Sequence, residues 1–135
     1  MPVQIETWNA AKLEPVSFPE DARLDSVCLA PSLSLTKGTL LGKITSTGRL
    51  AAYNDALATG VEVAVAILQH DVSTDASGNH YLGTSAVASS MNLPQASTPA
   101  YVAGVFDITE LTGWNAAAAA DLHARILPSG HYRIP

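Results

Sequence analysis

Apolar and small polar positions take turns in short runs through the middle of the chain. Over residues 61–68, Val61, Val63, Val65 and Ile67 alternate with Glu62, Ala64, Ala66 and Leu68. One face is β-branched and the other small, the pattern of a strand inside a sheet. Upstream, residues 40–45 read as a strand, Ser46-Thr47-Gly48 as a turn, and residues 49–53 as its antiparallel return. Residues 29–35, L-A-P-S-L-S-L, alternate as they enter the body, and Lys37-Gly38 turns the chain. Asn54-Asp55 and Gly60 bound a loop or a single helical turn. Residues 70–77 are polar and end in the turn signal Ser77-Gly78-Asn79. The stretch HYLGTSAVASSMNLPQA favours neither helix nor strand. PAYVAGVFD is the clearest strand of the second half, with Tyr101 and Ala103 on one side and Val102 and Gly104 on the other.

Residues 108–124 predict a helix, capped by Thr109 or Thr112 and rich in alanine. Gly113 disturbs its first turn, and Leu122, Ile126 and Leu127 anchor its end before Pro128. Ser129-Gly130 then leads into a short final strand, HYRIP. No segment repeats at a fixed period. The sum is a mainly β fold with one or two short helices, a small β-rich α+β single domain.

Residues 1–28 differ from the rest of the chain. Pro2, Pro15 and Pro19 break any helix, and Glu6, Glu14, Glu20, Asp21 and Asp25 spread negative charge along the segment. Two short extended pieces carry Val3, Ile5 and Trp8, then Val16 and Phe18, with no partner strand beside them in sequence. The segment reads as a flexible N-terminal arm over residues 1–28 that orders on partner binding, or else as a first strand pinned to the domain. Residues 29–135 form the β-rich domain with its C-terminal helix and final strand.

Composition changes the picture in one respect. The chain of 135 residues is 47% hydrophobic but only 14% charged, where a solvated domain carries about a quarter charged residues. This reflects either a bias toward small residues or extensive contact with partners. The net charge is −5, and Lys12, Arg23, Lys37, Lys43, Arg49, Arg125 and Arg133 are scattered singly. Direct nucleic-acid binding and attraction to acidic lipid are therefore disfavoured. The start has no basic leader followed by an apolar core, and the longest apolar run contains Glu62. Neither a signal peptide nor a membrane span is read.

Candidate chemistry is sparse. Cys28 is the only cysteine; it forms no internal disulfide and reads as a buried, inert thiol in a reducing or indifferent compartment. GTLLGK has three residues between glycine and Gly-Lys, followed by Ile44. A phosphate loop needs four, followed by Ser or Thr. His70, His80, His123 and His131 lack closely spaced co-ligands, so no metal is expected. No G-x-S-x-G elbow occurs. Glu62 reads as a solvated strand residue, and Asp107 with Glu110 as the acidic entrance to a helix. No catalytic residue and no cofactor are expected. Trp8, an aromatic in an extended arm, points toward a protein partner.

The stretch KGTLLGKITSTGRLAAYNDALATGVEVAVAILQHDV, followed after a variable middle by PAYVAGVFDITEL, resembles the head decoration proteins of tailed bacteriophages, the family that includes the phage lambda capsid-stabilising protein. The likeness is read over residues 29–135. It implies a homotrimer on the outer surface of the virion capsid, made in the host cytoplasm. The trimer sits at three-fold and quasi-three-fold positions of the expanded head and stiffens it against packaged DNA. It also implies a partner, the major capsid protein, met by the arm, which adds a strand to coat-protein elements. Val3, Ile5 and Trp8, with Val16 and Phe18 further along, are then the coat-binding candidates. The long arm and the alanine-rich C-terminal segment depart from the shorter relatives. Another virion surface binding module, for host or surface attachment, is the alternative. A small hydrolase is a lesser one, requiring His70, His80 or His123 to meet Asp107, Glu62 or a serine in one cleft.

Overall fold

The computed structural model describes residues 22–122, 125–126 and 131–134. Ten strands occur among them: β1 (Arg23–Val27), β2 (Ser34–Leu35), β3 (Leu40–Lys43), β4 (Leu50–Ala52), β5 (Ala64–Leu68), β6 (Val72–Thr74), β7 (His80–Leu82), β8 (Thr98–Asp107), β9 (Arg125–Ile126) and β10 (His131–Ile134). A 3-10 turn spans Ile108–Glu110 and helix α1 spans Ala116–Asp121. The mainly β expectation holds.

The larger sheet has the order β4-β3-β5-β8-β10-β9, with β1 also paired to β8. The smaller has the order β2-β6-β7. Every strand pairing is antiparallel. The β8 strand is the hub: it pairs with β1, β5 and β10 along its ten residues. Two apolar clusters form the core. One joins Leu40, Ile67, Tyr101, Phe106, Ala118 and Ile134, among others. The other gathers Leu29, Leu41, Leu50, Leu68, Val72 and Ala100.

The glycines of GTLLGK have structural duties. Gly38 has φ 86°, in the left-handed region, and a Cβ there would strike the Glu110 carbonyl. At Gly42 a Cβ would run into the backbone of Val61. Both positions need a residue without a side chain.

Four expectations need correction. The helix read over residues 108–124 is two pieces, because Thr112 is tied into strand-like bonding. Its N–H donates to Gly38 O at 2.9 Å and its carbonyl accepts from Leu40 N–H at 3.0 Å. Gly113 then turns the chain at φ 93°, and Asn115, rather than Thr109 or Thr112, caps α1. The strand read over residues 61–68 begins only at Ala64, since residues 61–63 are a turn. Ala64, Ala66, Ile67 and Leu68 are buried, at 1% exposure or less, while Val63 and Val65 are 45% and 38% exposed. Ala118 packs in one cluster with Ala64, and small residues on both sides let helix and sheet approach closely. Finally, residues 23–27, counted with the arm, are strand β1, and Cys28 is exposed, with its thiol directed at Ala96 O at 3.5 Å.

Candidate functional site

The surface is best described by its sheet edges, because an open strand edge is a ready-made docking line. The outer side of β4 is covered by the chain leaving β1: Leu50 N–H donates to Cys28 O and Ala30 N–H to Leu50 O, both at 2.8 Å. The outer side of β7 is closed by Gln95, which exchanges two backbone bonds with His80 at 2.8 and 2.9 Å. Further along β7, the Asn92 amide imitates a strand. Its Oδ1 accepts from Leu82 N–H at 3.1 Å and its Nδ2 donates to Leu82 O at 2.7 Å. The β1 strand differs. Arg23, Leu24, Asp25 and Ser26 are exposed, and among the described residues no strand lies on its outer side. The chain enters β1 through Ala22, which packs on the apolar core where Gly104 (φ 142°) leaves room for it.

The groups able to do chemistry are engaged structurally. His80 is buried, and its Nε2 accepts from Leu29 N–H at 2.8 Å. A nitrogen that accepts carries no proton, so the imidazole is neutral. Burial holds its pKa below the usual histidine value, against the Gln95 backbone bond and aided by the nearby Arg49 charge. Arg49 Nη1 donates to Leu29 O at 2.9 Å, so both backbone groups of Leu29 are held by side chains. Asp75 shapes the β6–β7 turn by accepting from Ser77 and Asn79 N–H, both at 2.9 Å, and from Tyr81 OH at 3.2 Å. The Asn79 backbone bond first, then the other donors, hold its carboxyl below the ordinary range.

Glu62 accepts from Gly60 N–H at 2.7 Å, Asp71 from Lys37 N–H at 2.8 Å, and Asp121 from Ala64 N–H at 3.0 Å. Asp107 caps the 3-10 turn through Thr109 N–H at 3.0 Å. His70 is exposed, and His123 lies outside the described residues. Among the described residues no three His, Cys, Asp or Glu side chains group to hold a metal. No described helix is long and apolar enough to cross a membrane. Tyr53, Tyr81, Tyr101 and Phe106 are all buried, so these rings serve the core.

The arm candidates Val3, Ile5, Trp8, Val16 and Phe18 lie outside the described residues. Sequence reasoning passed over an exposed apolar tip that begins at the end of β7: Leu82, Val87, Met91 and Leu93 are 60%, 67%, 92% and 61% exposed. The signal for it was present in the sequence, since no Asp, Glu, Lys or Arg stands between Asp75 and Asp107.

No curated protein and no solved structure matches the chain. Residues 4–83 match the family of the bacteriophage lambda head decoration protein D. The matched span differs from the likeness read over residues 29–135: it takes in most of the N-terminal segment and ends where the apolar tip begins, so PAYVAGVFDITEL lies beyond it. With more than half of its length matched, the chain belongs to the phage head decoration protein family, whose members are structural proteins of the capsid.

Proposed function

We propose that the chain decorates the expanded phage head as a homotrimer, binding the major capsid protein at three-fold and quasi-three-fold positions of the outer surface. The observation that carries this reading is the family match over residues 4–83. Its action is contact without catalysis, which accords with carboxylates spent on turns and caps. Whatever binds only the assembled, expanded shell makes that state harder to leave. Three arms on a closed ring reach three equivalent neighbours, so each contact can be weak while the trimer stays in place.

Val3, Ile5, Trp8, Val16 and Phe18 are the coat-binding residues of this reading. The alternating spacing of Val3 with Ile5, and of Val16 with Phe18, suits strand addition, in which main-chain bonds hold and every second side chain selects the register. Ordering such a segment costs about 1–2 kcal/mol per residue in backbone entropy, which three linked arms offset better than one.

The test is deletion of residues 2–20. The cut stops short of Ala22 and β1, so the body keeps its hub pairing. Circular dichroism and the melting midpoint are expected to stay close to those of the full chain, while co-sedimentation with expanded heads is lost. A truncated protein that still coats heads would defeat the arm assignment.

A further inference from the structure

The β1 strand pairs with β8 on one side, and among the described residues no strand lies along the other. Its register keeps it regular. Arg23 faces Ala103 and Leu24 faces Tyr101, so the extra residue at the irregularity, Val102, belongs to β8. Half of the N–H and C=O groups of β1 therefore point outward along an extended line.

An edge of this kind is either guarded or used. Guarded edges carry proline, or charges that repel a second strand. The exposed run of β1 is Arg23, Leu24, Asp25 and Ser26. It has no proline, and one charge of each sign flanks a leucine that is 43% exposed. Opposite signs on one short strand do not repel a second copy of it in every register.

Symmetry limits those registers. A strand pairs antiparallel with its own copy about a two-fold axis. Residues directly opposed across such a pair point to the same face, so the axis passes beside a residue, which then opposes its own copy. An axis at Arg23 sets Arg23 against Arg23, and one at Asp25 sets Asp25 against Asp25; both bring like charges together. One at Ser26 or Val27 leaves both charges without opposite partners. An axis at Leu24 sets Arg23 against Asp25 twice and Leu24 against Leu24. Leu24 already stands beside Tyr101 of the first core cluster, so a second Leu24 continues that apolar face past the edge of the sheet.

We infer that the β1 edges of two copies pair antiparallel about an axis at Leu24, continuing the larger sheet from one molecule into the next. Main-chain bonds and the two Leu24 side chains hold the pair, while the exposed charges select the register. Each strand is already held by β8, so pairing orders little new backbone. Five residues make a small contact, and the pair forms as a concentration-dependent equilibrium rather than an obligate dimer. An isologous contact cannot lie within a three-fold ring, whose contacts are head-to-tail. Alongside the trimeric reading it joins one trimer to another, and it does not depend on that reading.

Disulfide trapping tests the pairing, in a Cys28→Ser background that removes the native exposed thiol. Opposed Cα atoms lie about 4.5–5.5 Å apart, within the span a disulfide bridges. Leu24→Cys is expected to give a two-chain band on a non-reducing gel. In the same register the two copies of Ser26 stand roughly 14 Å apart, so Ser26→Cys is expected to stay single. Within the Leu24→Cys protein, Arg23→Asp or Asp25→Arg should lower the cross-linked fraction about tenfold. The double reversal should restore it, and so should an equimolar mixture of the two single-charge variants. All these positions are exposed, and circular dichroism checks that each variant folds.

No band from Leu24→Cys, equal bands from Leu24→Cys and Ser26→Cys, or yields indifferent to charge would each overturn the pairing. A Leu24→Cys protein that cross-links only after deletion of residues 2–20 would assign the edge to the chain's own N-terminal segment, and overturns it as well. The trimer is decided separately, by the wild-type mass in light scattering.

Discussion

At the scale of single residues, His80 has the sharpest consequences. Its Nε2 accepts the Leu29 N–H, joining the small sheet to the chain that covers β4. Protonation removes that acceptor and places a cation in a buried site near Arg49. The folded pKa lies below the unfolded value, so between the two the unfolded chain binds more protons and stability rises with pH. Stability is therefore complete above the unfolded value of about 6.5 and falls as the pH drops below it. Thermal melts between pH 7.5 and pH 5.5, above the carboxylate range, should show the wild-type midpoint dropping. In His80→Asn, which can accept but does not titrate, the midpoint should be lower throughout and nearly flat. A wild-type midpoint as flat as the variant's would contradict the neutral, buried assignment.

At the scale of elements, the sequence was legible where pattern and bonding agree. The strand PAYVAGVFD is β8, HYRIP contains β10, and the hairpin around Ser46-Thr47-Gly48 is β3 with β4. It misled where a tertiary bond overrode propensity. Thr112 is held as a bridge to Thr39, which divides the expected helix, and in β5 the small Ala64 is buried in one cluster with Ala118 of α1 while the β-branched Val65 is exposed. The exposed tip was hidden because its side chains show no period, only an absence of charge.

The surviving α1 is six residues long, too short to persist by propensity. Asn115 holds it: its Oδ1 accepts from Ala118 N–H at 2.8 Å and from Tyr53 OH at 3.2 Å, and its Nδ2 donates to Asp55 at 3.1 Å. Asn115→Ala should cost about 1–2 kcal/mol, roughly 3–8 °C in midpoint. A shift below about 1 °C would mean that Asp121 and the core contacts of Ala118 and Leu122 hold the helix without its cap.

At the scale of the whole molecule, charge and apolar surface make opposite demands on assembly. Each chain carries −5, so gathering three copies in the proposed trimer brings like charges together, while a chain only 14% charged has few charges from which to build ion pairs there. Raising salt from about 50 mM to about 500 mM shortens the screening length from roughly 14 Å to roughly 4 Å. That weakens the repulsion and leaves apolar contact in place, so the proposed trimer should hold or tighten with salt. The hydrophobic contribution fades on cooling, so dissociation on dilution should be easier near 4 °C than at 25 °C. Sedimentation across both variables separates the forces. An association weakened tenfold or more by salt would place ion pairs at the contact and overturn the apolar reading of the assembly.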